Sequence, residues 1–123
     1  MDELINRITT SVGIDADKAE NAVGMILGFL QSEGPQDKIA EMLDAMPGAR
    51  DLIEKAGGGG GGMLGGMMGG GVMGLGSKLM GLGLGMGEIS GISKETISYA
   101  KEQAGDEPVD EVINSIPGLS QFV

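Results

Sequence analysis

Between Gly57 and Gly87 the chain carries seventeen glycines, six methionines and five leucines; the other three residues are Val72, Ser77 and Lys78. Glycine in a helix interior costs about 1 kcal/mol relative to alanine. In a strand it offers no side chain to pack. A chain with such a middle must build its core from the flanking segments. The 123 residues contain two Phe, one Tyr and no Trp, so that core is aliphatic and Met-rich.

The flanks read as helices. Leu4, Ile5, Ile8 and Val12 predict a helix over residues 2–12, with Asp2 and Glu3 in its first turn and Gly13 as its stop. Asp15 is placed to cap a second helix running to about Ser32, whose wide apolar face holds Ala19, Ala22, Val23, Ile26, Leu27 and Leu30. Pro35 opens a third, with Ile39, Met42, Leu43 and Met46 as its buried stripe. Pro47-Gly48 ends it and restarts a short helical segment with Leu52 and Ile53 inward.

The Gly/Met stretch has two parts. Gly57–Gly71 holds too much glycine for an unaided helix and reads as a flexible linker. From Val72 the pattern changes: Val72, Leu75, Leu79, Leu82 and Met86 are spaced 3, 4, 3 and 4 apart, a helical stripe over about 72–86. Gly87 and Gly91 punctuate the chain, and Ser93 is placed to cap a helix over about 94–104. A last helix follows Gly105, with Val109, Val112, Ile113 and Ile116 inward and Pro117-Gly118 at its end.

The C-terminus copies the end of the first unit. IAEMLDAMPGARDLI (Ile39–Ile53) aligns without gaps to VDEVINSIPGLSQFV (Val109–Val123), 70 residues on. Glu41/Glu111, Pro47/Pro117 and Gly48/Gly118 are identical, the apolar stripe is kept, and upstream Phe29 aligns with Tyr99. One copy buries too little to stand alone. The expected fold is therefore an all-α bundle of two helix-PG-helix half-units: residues 1–56, a linker over 57–71, and residues 72–123 packed on the first.

GIDADKAENAVGMILGFL, the PG-x-x-x-LI repeat, the Gly-rich middle and the close GDEPVDEVINSIPGLSQFV resemble small bacterial proteins of the VcgC/VcgE-like family and of helical families that include YidB. Those families are filed as domains of unknown function. The resemblance covers most of the chain outside Gly57–Gly71. It implies an all-helical fold and carries over no catalytic residue.

Residue inventory narrows the function. There is no His to serve as base and no Cys for thiol chemistry or thiolate metal ligation. Ser77-Lys78 and Ser93-Lys94 are sequence neighbours, so on a helix their side chains diverge and form no dyad. Asp15, Asp17 and Glu20 lack the spacing and turn glycine of a calcium loop and read as a cap with first-turn acids. Glu41 and Glu111 read as solvent-facing. The glycine runs lack the Gly-Lys-Ser/Thr of a phosphate loop. No cofactor or metal is expected, and the chain reads as no enzyme.

Eighteen acidic against eight basic residues give a net charge of −10, which argues against nucleic-acid binding. The N-terminus MDELINRITT has no apolar signal core, so the cytoplasm is the expected compartment. The expected role is interaction, either self-association or docking of a protein partner, on the stripe Val72, Leu75, Leu79, Leu82 and Met86. The alternative is a membrane-associated protein using Gly58, Gly62, Gly66, Gly70 and Gly74 as a glycine zipper.

Overall fold

In the structure, a computed structural model that describes residues 2–56 and 71–116, seven helices and no strand are present among the described residues. The fold is all-α, as expected. The expected linker falls outside the described residues except for Gly71, and so does the repeat's second end, Pro117 to Val123.

Helix α1 (Asp2–Val12) buries Leu4, Ile5 and Ile8, the stripe its sequence spacing requires. Helix α2 (Ala16–Glu33) follows Asp15, whose backbone is extended and whose side chain makes no capping hydrogen bond. α2 is the centre of the core: Ala19, Ala22, Val23, Ile26, Leu27 and Leu30 are all buried. Helix α3 (Gln36–Ala45) starts one residue after Pro35 and buries Ile39, Met42 and Leu43. Helix α4 (Ala49–Lys55) buries Ala49, Leu52 and Ile53 and lies along α2. A glycine makes that approach possible. A Cβ on Gly24 would stand 2.2 Å from the Leu52 carbonyl oxygen, so no larger residue fits at that crossing.

The second half comprises α5 (Gly71–Gly81), α6 (Met86–Ala104) and α7 (Asp106–Ser115). Two boundaries differ from the sequence reading. The expected helix over 72–86 ends at Gly81. The expected helix over 94–104 begins eight residues earlier, at Met86, with Ser93 buried in its interior rather than capping it. Gly87 and Gly91 are thus helical residues. Packing decides this: α6 lies against α1, α2, α3, α5 and α7, and that burial outweighs the propensity cost of its glycines.

The repeat extends into three dimensions. Shifted by 70 residues, α2 and α3 fall on α6 and α7, with boundaries agreeing to within a residue. The short helix preceding each long one, α1 or α5, occupies the matching place. The packing crosses over between halves. α1 lies on α6 of the other half, and α5 lies on α2; α3 meets its own counterpart α7, and α2 meets α6. The core is one cluster drawn from both halves, and neither half closes without the other.

Candidate interaction surface

The stripe singled out in the sequence is divided by the fold. Leu75 and Leu79 are buried, 8% and 1% exposed, on the helix that packs against α2. Leu82 is partly buried against the same core. Met86 is 59% exposed. Val72 lies in the first turn of α5, and its side chain lies outside the described residues. Leu75 and Leu79 are therefore core residues of this chain rather than surface.

The division follows from the turn between α5 and α6. Gly83 has φ +93°, a left-handed conformation that a side chain rarely tolerates. At the far side the Gly85 N–H donates to the Glu88 carboxylate at 2.8 Å, satisfying a free amide at the start of α6. The helix thus stops after Gly81 and restarts at Met86. Leu84, outside the 3-4-3-4 stripe, takes a core place at 4% exposure.

Two large apolar side chains are exposed among the described residues, Met80 at 48% and Met86 at 59%. They bracket this one turn, with half-buried Leu82 between them in sequence. The sequence reading missed Met80, which sits one residue from the stripe. Its signal was the alternating run Met80-Gly-Leu-Gly-Leu-Gly-Met86, in which glycine denies cover to its neighbours. Lys18 is close, its Nζ 3.4 Å from where a Gly83 Cβ would stand. Lys78, two residues before Met80, is exposed on α5. Among the described residues neither lysine has an ion-pair partner.

Lys94 on α6 is likewise without an ion-pair partner among the described residues, and the other five basic groups are engaged. Arg7 on α1 donates two 2.8 Å hydrogen bonds to the Glu102 carboxylate on α6 and lies 5.7 Å from the Tyr99 ring centroid. The paired guanidinium lowers the Glu102 pKa below its ordinary value. Lys38 stands between Glu111, 3.0 Å away, and Glu41, 3.7 Å away. Its pKa is raised, chiefly by the bond to Glu111. The two repeat-equivalent glutamates face solvent, as expected, and share this one ammonium. Lys101 pairs with Asp110 at 3.3 Å, Arg50 with Asp44 at 2.7 Å, and Lys55 with Glu20.

The remaining candidates do not assemble. Ser77 and Lys78 are both exposed, whereas Ser93 is buried and Lys94 exposed, so neither pair is a dyad. Glu20 faces Lys55 on α4, and no group of acidic side chains among the described residues could hold a metal ion. No helix among them is long and apolar enough to cross a membrane. No protein-family model, curated protein or solved structure matches this chain.

Proposed function

We propose that the protein is a non-enzymatic interaction module of the cytoplasm, and that its α5–α6 corner docks an acidic amphipathic helix of a protein partner. The observation that carries this reading is the turn between two exposed methionines, Met80 and Met86, with the Lys18 ammonium at Gly83 and exposed Lys78 on the preceding helix, neither lysine having an ion-pair partner among the described residues. Methionine is flexible and polarizable, so exposed methionines adapt to the apolar face of a helix. On a chain of net charge −10, an apolar corner flanked by unpaired ammonium groups favours a partner carrying carboxylates beside its apolar stripe. The residue inventory, without His or Cys, supports the non-enzymatic part.

A helical peptide with a leucine stripe flanked by glutamates serves as the probe. Calorimetric titration is expected to show binding that weakens with added salt and is lost in the Met80→Asp, Met86→Asp double variant. Equal binding by a lysine-flanked peptide of the same stripe, or binding unchanged in the double variant, overturns the reading. A rise in mass of the unliganded wild-type chain with concentration, abolished by the same double variant, would instead make a second copy the partner. Liposome flotation separates off the glycine-zipper alternative, whose residues lie outside the described region apart from Gly74.

A further inference from the structure

The crossed packing of the halves gives the chain a second recognition surface, independent of the methionine corner. Each half offers a short helix to the long helix of the other: α1 to α6, and α5 to α2. Around these contacts the two central pairs, α2 with α6 and α3 with α7, join equivalent elements of the repeat. Ion pairs cross the same boundary at Arg7–Glu102 and Lys38–Glu111. A surface through which two related units clasp one another has the isologous form of a homodimer interface, here closed within one chain. The halves are covalently joined only through residues 57–70, ten of which are glycine. Fourteen residues reach at most about 50 Å when extended, enough to connect halves seated in different bundles.

We propose that two copies of this chain exchange halves, with α1–α4 of each closing on α5–α7 of the other to give two complete bundles. Every packing contact between halves is kept in the exchanged dimer. The balance between closed chain and dimer is therefore set by concentration and by the connection. A tethered partner has an effective concentration of about a millimolar. The closed chain therefore dominates in dilute solution, and exchange is favoured by refolding at high concentration or by shortening the connection.

The contact between Val12 on α1 and Gly91 on α6 supplies the test. A Cβ on Gly91 would lie 3.0 Å from Val12 Cγ2, so the two positions share one volume across the boundary. In a closed chain Gly91→Val overfills that space and Val12→Ala empties it. When full-length chains carrying one change each are unfolded and refolded together, the exchanged pair contains one wild-type contact and one in which the added side chain fills the vacated space. The expected result is a mixed species of twice the 12.5 kDa chain mass, retained by either of two affinity tags and scarce when each variant refolds alone. Lys38→Glu and Glu111→Lys form a second complementary pair, at a half-buried and an exposed position, which tests the idea if the buried pair folds poorly. Deleting residues 59–68 from the wild-type chain is expected to raise its dimer fraction.

Complementary pairs that refold with native helix content yet give only the single-chain mass overturn the proposal. Repeating the experiment in the Met80→Asp, Met86→Asp background leaves exchange unchanged, whereas self-association through the methionine corner is lost.

Discussion

The two halves use the same apolar register and different means of closing it. In the first, α4 lies on α2 at Gly24, where a Cβ would overlap the Leu52 carbonyl. Seventy residues on, the equivalent position of α6 is Lys94, an exposed lysine in place of a glycine; the segment equivalent to α4 lies outside the described residues. In the first half Lys55 of α4 pairs with Glu20 of α2. In the second, α6 pairs instead with its own following helix, Lys101 with Asp110. What is retained between the copies is the stripe Ile39, Met42, Leu43, Met46 and its counterpart Val109, Val112, Ile113, Ile116, all buried where α3 meets α7. A repeated unit thus needs its shared interface kept and can change its other faces.

The largest effect is expected from emptying the crossing at the centre. Ile92 of α6 is fully buried, and its equivalent in α2 is Ala22, also fully buried. Ile92→Ala should cost about 2–5 kcal/mol, since its neighbours cannot fully collapse into the space. Urea denaturation would show this as a lower midpoint, and an unchanged midpoint would mean that α6 is not central.

A smaller effect separates the two long helices directly. Gly24→Ala gains helix propensity, yet the backbone oxygen of Leu52 cannot move aside as a flexible side chain can. We expect a net loss of about 1–3 kcal/mol from overpacking. Lys94→Ala at the equivalent position should leave the midpoint where it was. Equal responses at the two positions would remove the distinction between the halves.

The smallest effect is electrostatic and depends on pH. Because the folded Glu102 pKa lies below its unfolded value, its contribution is present above the ordinary carboxylate range and fades as pH falls through the depressed value. Lys38 and Lys55 run the other way, their contributions fading only as pH rises through raised values. Glu102→Gln should therefore lower Tm slightly at neutral pH and flatten the acid limb of a Tm-against-pH series. A parallel downward shift at every pH would assign the residue a packing role instead.

The helical class, α2 and α3, and the α3–α7 repeat could be read from the chain because periodic apolar spacing and Pro-Gly stops act locally. The start of α6 could not. Gly87 and Gly91 look like breaks until α1 is seen against the helix, with Val12 in the space Gly91 leaves open. Upstream of α3 the repeat shows in sequence only at Phe29 and Tyr99, because the sizes of its buried residues alternate. Ala19, Ala22 and Leu30 stand where α6 has Ile89, Ile92 and Ala100, each small on one helix and large on the other. Two equivalent helices packed on one another can fill their volume this way while losing residue-by-residue likeness. The stripe from Val72 to Met86 misled for a related reason. Spacing identifies an apolar face without saying whether it turns outward or into the same molecule, and Leu75 and Leu79 turn inward.

Lys38 shows what duplication demands of charge. Where α3 packs on its own counterpart α7, equivalent residues approach one another, so Glu41 is brought toward Glu111 and like meets like. A symmetric change that keeps a charge at the position sets like against like again. A single cation can serve both carboxylates only if its own counterpart is something else, and the residue equivalent to Lys38 is Pro108. Divergence between the copies thus lets one cation serve two carboxylates, an arrangement that two strictly identical units related by symmetry do not have.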